Sequence, residues 1–267
     1  VHDVVRGFDG TPSSRLLLTD NTSAEITTTP ALISSFDIDG FTVDQNGNTN
    51  NAIDTYVAWN WKANGSGVSN TDGTITSTVS ANTTSGFSVV SYTGNASSGA
   101  TVGHGLSSTP EMLIIKARST TTGWSVNHVG TGMTSGYLQL QSTAAFASAA
   151  NNVTGVSSST FTLGNDSWVN ASGQPFICYA FHSVEGFSKL GSYVGNGSSD
   201  GPFVYTGFRP AFVLVKNASA GWNWIIWDAE RDTYNQVAGA LQPNNSDAEY
   251  DVSNYMSADF LSHGFKI

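Results

Sequence analysis

Phe87-Ser88-Val89-Val90-Ser91-Tyr92-Thr93-Gly94-Asn95 returns as Phe187-Ser188-Lys189-Leu190-Gly191-Ser192-Tyr193-Val194-Gly195-Asn196, a spacing of 100 with one residue inserted. A period of about 100 residues is the size of a small globular unit and exceeds the roughly 20–50 of a solenoid. Working outward, residues 110–116 answer to 210–216, and Gly-Trp pairs follow at Gly123-Trp124 and Gly221-Trp222. Residues 1–6 resemble 226–231, 18–25 resemble 241–249, and 56–61 align with 176–181 at an offset of 120. Phe41-Thr42-Val43 recurs as Phe161-Thr162-Leu163 and Phe265-Lys266-Ile267.

In this phase, residues 1–62 are the back part of a unit, 87–186 a complete unit and 187–267 the front part of a third. Residues 63–86, dominated by Gly, Ser, Thr and Asn, read as a flexible linker. The first unit has no counterpart of 87–124, so its apolar runs need partner strands from 187–267 or from another chain. Every apolar run is short, rich in aromatic and branched residues, and bounded by Gly, Asn, Ser or Pro. No segment keeps an apolar period of 3.6. The expectation is an all-β chain of repeated antiparallel β-sandwich or jelly-roll-like units.

Composition narrows the function classes. Of 267 residues 39% are hydrophobic, enough for packed cores, but only 11% are charged against about 25% in an ordinary soluble protein. Ser, Thr, Asn and Gly must then supply the polar surface, which suits an extracellular or virion β-protein. A net charge of −10 repels a phosphate backbone and argues against nucleic acid. No apolar stretch approaches the ~20 residues that span a bilayer as a helix, which argues against membrane insertion. The lone Cys178 lies in an apolar run and reads as an inert core thiol. The chain opens on Val1 without methionine or leader features, so its natural start is expected upstream or to have been removed.

Two loops carry candidate ligands. Asp37, Asp39, Asp44 and Asn46 place oxygens at alternate positions, as a calcium loop does, and calcium is the one cofactor the sequence suggests. The equivalent stretches of the other units lack these acids, so an ion-free Asx turn is favoured. Trp168, beside Asn165, Asp166 and Asn170, has no counterpart in the first unit and offers an aromatic platform with amide and carboxylate oxygens for a glycan. Catalysis has little support: no nucleophile elbow or metalloprotease helix occurs, the five histidines are scattered, and the acids of 228–232 read as a surface ion-pair turn.

Tyr92-Thr93-Gly94-Asn95, His104-Gly105-Leu106 with Thr109-Pro110, Ile114-Ile115-Lys116 with Arg118, and Trp124, Val126 and His128 together resemble a repeat of tail-fibre-like proteins of marine bacteriophages. The second copy, Tyr193 to Lys216, keeps the Gly-Asn, Pro and Lys but loses the His-Gly-Leu and the Arg. The likeness covers nearly the whole chain and implies a virion-surface or extracellular location. The resulting expectation is a non-enzymatic tail-fibre or adhesin module that touches host-surface glycans through loops. Its partners would be copies of itself, a trimer being favoured, or other virion proteins. A purely structural tail or capsid-decoration component is the alternative, and a polysaccharide depolymerase a third.

Overall fold

The computed structural model describes residues 1–7, 13–251 and 256–267. Strands take 35% of the residues and helix 3%, so the protein is all-β. The first unit contributes β1 (Ser14–Leu16), β2 (Ile26–Thr28), β3 (Ile33–Phe36) and β4 (Phe41–Val43). Next come β5 (Val68–Asn70) and β6 (Ser77–Asn82). The second unit holds β7 (Phe87–Thr93), β8 (Ala100–Gly103), β9 (Met112–Ala117), β10 (Ser125–His128), β11 (Gly136–Gln139) and β12 (Ala147–Ser148). It continues with β13 (Val153–Val156), β14 (Thr160–Leu163), the short helix α1 (Ser167–Asn170) and β15 (Pro175–Phe181). The third holds β16 (Phe203–Tyr205), β17 (Phe212–Val215), β18 (Ile225–Asp228), β19 (Gly239–Ala240), β20 (Tyr250–Asp251), β21 (Asp259–Leu261) and β22 (Gly264–Lys266).

An antiparallel sheet in the order β12-β11-β10-β9-β15-β7-β6-β5 forms the centre, with β13-β14-β8 as a second sheet. Strand alternation explains why the central sheet is buried on both faces. On β15, Phe176, Cys178 and Ala180 enter a core shared with Ala100, Val102, Phe161 and Leu163 of the smaller sheet. Ile177 and Tyr179 point the other way, into a core with Trp124, Leu138, Leu17 of the first unit and Trp224 of the third. Burial pushes the Cys178 thiol far above its ordinary pKa, in keeping with an inert core residue. A third core, built on Trp227, Phe260 and Phe265, belongs to the third unit.

The repeat is real at the level of register. Met112 faces His128 as Phe212 faces Asp228, and Ile114 faces Val126 as Leu214 faces Ile226. The β3-β4 hairpin matches β13-β14 down to the register shift, between Ile33 and Ser35 in one and Val153 and Gly155 in the other. Val102 against Phe161 corresponds to Val204 against Phe265.

Three expectations need correction. Residues 63–86 are not a linker: β6 pairs along β7 from Asn82↔Phe87 to Thr78↔Ser91, and Ile75, Ser77, Val79 and Ser80 are buried. Small hydroxyl side chains occupy the inward positions, with Ser77 Oγ donating to Gly103 O at 2.9 Å and Ser80 Oγ to Gly65 O at 2.6 Å, so the composition looked too polar for a strand. Residues 56–61 make no strand, and Tyr56 and Trp61 are exposed by about half. The counterpart of Trp124 is Trp224, directly ahead of β18 as Trp124 is ahead of β10, while Trp222 is exposed.

Phe176 is fully buried and stacks on Tyr92 at 5.2 Å, whereas Val68 lies on the open edge of the sheet. Phe176→Ala should cost about 3–5 kcal/mol of unfolding free energy, and Val68→Ala less than about 0.5 kcal/mol. Urea denaturation of the two variants checks the contrast.

Candidate functional site

The Trp168 loop is built inward. Asp166 caps α1, its Oδ1 accepting from the Trp168 amide at 3.0 Å and its Oδ2 from Asn152 at 2.9 Å. Asn170 is fully buried: its amide nitrogen donates to Gly164 O at 2.7 Å and Ser97 O at 3.0 Å, and its oxygen accepts from Asn95 N. The Trp168 ring packs 5.3 Å from Tyr137 and so close over Gly123 that a Cβ there would stand 2.4 Å from the indole. Asn165 is exposed and Trp168 half-buried. Asp166 and Asn170 therefore hold the loop together, which takes both out of the solvent-facing set.

The acidic stretch of the first unit is spent on turns. Asp37 accepts from Ser35 Oγ at 3.0 Å and Thr42 Oγ1 at 2.8 Å across the β3-β4 hairpin. Asp44 accepts from the Gln45 amide, and Asn46 accepts from the Asn48 amide while donating to Pro30 O. Asp39 is exposed. Among the described residues no group of three or more His, Cys, Asp or Glu could hold a metal ion. These are the Asx turns that such residues form without a cation.

The concentrated charge chemistry lies elsewhere, and it occurs twice. Arg6 donates from Nε to Asp3 at 2.5 Å, from one terminal nitrogen to Glu25 at 3.1 Å and from the other to Val1 O at 2.7 Å. Arg231 repeats the set with Asp228 at 2.7 Å, Glu249 and Ile226 O. The Asp in each set also caps its own turn, Asp3 accepting from the amides of Val5 and Arg6 and Asp228 from those of Glu230 and Arg231. The second unit keeps only this turn, His128 Nδ1 accepting from Gly130 N at 2.9 Å. The repeat alignment of 1–6 with 226–231 carried this signal; what the sequence hid was the way the acids converge.

A third donor reaches each Asp from a different unit. Tyr179 Oη donates to Asp3 at 2.6 Å, and Trp59 Nε1 donates to Asp228 at 3.1 Å. Trp59 and Tyr179 are equivalent positions of the repeat. Burial alone would raise the Asp3 pKa, but the Arg6 charge and the bonds from Tyr179 and Arg6 hold it below the ordinary carboxylate range. Glu25 is likewise lowered against its burial, by Arg118 at 2.9 and 3.0 Å and by Arg6.

The contacts between successive units are copies of one another. Trp124 Nε1 donates to Leu18 O at 2.8 Å, and Trp224 Nε1 donates to Gln139 O, the equivalent carbonyl, at 2.9 Å. The Glu25 amide donates to Arg118 O at 2.7 Å, and the Phe146 amide to Ala218 O at 2.9 Å. The second unit thus sits on the first as the third sits on the second. The Trp59 bond to Asp228 then joins the first to the third as Tyr179 joins the second to the first. Such head-to-tail contacts close a ring when the rotation permits. Trp61 and Phe181, equivalent residues of two units, meet edge to face at 6.3 Å where the units converge.

Lys116 is the other buried cation. Its Nζ donates to Ala117 O at 2.8 Å, as the Nζ of its repeat equivalent Lys216 does to Asn217 O at the same distance. Among the described residues it has no carboxylate partner, and burial lowers its pKa to about 8.

Residues 1–267 match the family model described as a domain of unknown function, DUF7483. No curated protein and no solved structure matches.

Arg6→Ala should cost about 3–5 kcal/mol, because it strands Asp3 and Glu25 in the interior. Arg231→Ala should cost less, about 2–3 kcal/mol, since it strands Asp228, 5% exposed, but leaves Glu249, 48% exposed, to water. In the parent chain the carboxylate contribution is present above about pH 4 and is lost as pH falls through the lowered folded values, which acid titration of stability reads. Lys116 adds a second rise with pH, in the alkaline range. An unfolded lysine keeps its proton to about pH 10.4, so stability should rise between about pH 8 and 10.4. Lys116→Met should flatten that rise and add up to about 3 kcal/mol at pH 7.

Proposed function

Because the chain belongs to the DUF7483 family along its whole length, a family of unknown function, we propose a role from geometry: a non-enzymatic structural module of a surface assembly. The observation that carries this reading is the recurrence of the same inter-unit hydrogen bonds, Trp124 to Leu18 and Trp224 to Gln139. The clustered acids and arginines are engaged in bracing turns within units and, at Arg118 and Glu25, in joining them. The likeness to tail-fibre repeats supports a virion or extracellular setting, and the threefold element such a fibre needs is then supplied by three units of one chain. Trp59→Phe removes the bond that joins the first unit to the third. It should expose residues 1–62 to limited proteolysis while leaving 87–186 resistant; equal protection of both segments in the variant would count against the structural reading.

A second reading, display of a glycan-binding surface, is favoured by one groove of about 340 Å³ at the sheet edge. Val79 and Ala81 lie in its apolar part, and Asn64, Ser66, Ser69 and Thr83 line it with side chains that have no hydrogen-bond partner among the described residues. That sets them apart from the asparagines that cap their own turns, such as Asn21, Asn46, Asn82, Asn95, Asn196 and Asn217. An uncharged, hydroxyl-rich ligand fits such a lining. A glycan array probed with the chain tests it. Binding lost in an Asn64→Ala, Ser66→Ala double variant and kept in Trp168→Ala places the ligand in the groove; the reverse pattern returns it to the Trp168 loop. No binding to any glycan leaves the structural role alone.

A further inference from the structure

The inter-unit contact is filled twice and available a third time. On the first unit, Glu25 receives the Arg118 guanidinium on both oxygens and its amide bonds Arg118 O, while Leu18 O receives the Trp124 indole. On the second, Phe146 and Gln139 stand in the same places and receive Ala218 O and the Trp224 indole. On the third, Leu241 faces Ile226 as Leu17 faces Val1 and Leu138 faces Val126, so the next residue, Gln242, holds the place of Leu18 and Gln139, and Glu249, just ahead of β20, that of Glu25 and Phe146. Among the described residues no hydrogen bond or ion pair from another unit reaches the Glu249 carboxylate or Gln242 O. Among the described residues the Glu249 carboxylate pairs with Arg231 alone, its side chain 48% exposed against 11% for Glu25. Gln242 O accepts only the amide of its own turn, Asn245 N at 3.3 Å, a bond that Gln139 O also accepts, from Ser142 N, in addition to its indole.

We infer that the Gln242–Glu249 face of the third unit is a docking surface for a polypeptide segment of the front half-unit type: an apolar strand ending in arginine, then Gly-Trp. Continuity with the two filled interfaces defines its geometry. The strand lays its arginine on the Glu249 carboxylate oxygen that Arg231 leaves open and its backbone carbonyl on the Glu249 amide, and the indole donates to Gln242 O. Charge complementarity selects the occupant, because Glu249 in a chain of net charge −10 accepts a cation and repels acidic strands. The inference stands on these contacts and not on the display role, so it survives or fails independently of any glycan result.

The test is titration of the intact chain with a dye-labelled synthetic peptide of residues 108–126, followed by anisotropy. Saturable binding at one site per chain is expected. Losing the arginine–carboxylate pair should weaken it about tenfold or more, whether through Glu249→Gln in the chain or Arg118→Ala in the peptide. Trp124→Phe in the peptide should weaken it as well, and Asp39→Asn in the chain, a change at an exposed acid away from the face, should leave it unchanged. The peptide variants need no alteration of the folded chain, so a misfolded Glu249 variant cannot mask the result. No saturable binding, or binding indifferent to both the peptide arginine and Glu249, would overturn the inference.

Discussion

A guanidinium with 1% of its side chain exposed can exist only where fixed acceptors surround it, and Arg6 finds them in Asp3, Glu25 and Val1 O. Those acceptors come from both ends of a loop that passes through β1, and the Asp3 carboxylate is completed by a tyrosine of another unit. Folding of the first unit is thereby tied to its docking: Asp3 and Glu25 reach full satisfaction only with Tyr179 and Arg118 in place. A buried ion pair of this kind contributes little net stability over apolar packing. What it supplies is specificity, since any other seating leaves charge unpaired in the interior.

The fold class and the repeat were readable because both depend on local pattern. Short aromatic and branched runs between turn residues can bury a face only as strands, and the equivalences of 1–6 with 226–231 and of 56–61 with 176–181 survive as equivalent hydrogen bonds. What was not readable depends on partners far away in sequence. Residues 77–82 look like a polar linker until β7 lies beside them and Gly103 and Gly65 accept their hydroxyls. Residues 56–61 look like a strand but lack a neighbouring ladder, and Trp59 and Trp61 instead pack edge to face on Phe212. The Trp168 loop was picked out as different from its counterpart, as it is; that Asp166 and Asn170 face inward depends on Asn152, Ser97 and Gly164 and on no property of the loop itself.

The scarcity of charge acquires a physical reason in this arrangement. Of the ten basic residues, Arg6, Arg118 and Arg231 are engaged in bonds that hold units together or brace the turns beside them, and Lys116 is buried. The remaining surface is left to amides and hydroxyls, most of which close their own turns. With a net charge of −10 such a surface repels polyanions, and its many amides and hydroxyls suit contacts made by shape and neutral hydrogen bonding.

Placing three related units on one polypeptide also changes what substitution can do. In a ring of identical subunits every change appears three times, so a residue at the axis must tolerate itself in triplicate. Here the position at which β10 and β18 end is His128 and Asp228, its counterpart in the first unit is Asp3, and the cross-unit donor is a phenol in one place and an indole in another. Each junction can therefore drift in chemistry while the backbone bonds that repeat at the junctions keep the geometry, and one junction can specialise without altering another.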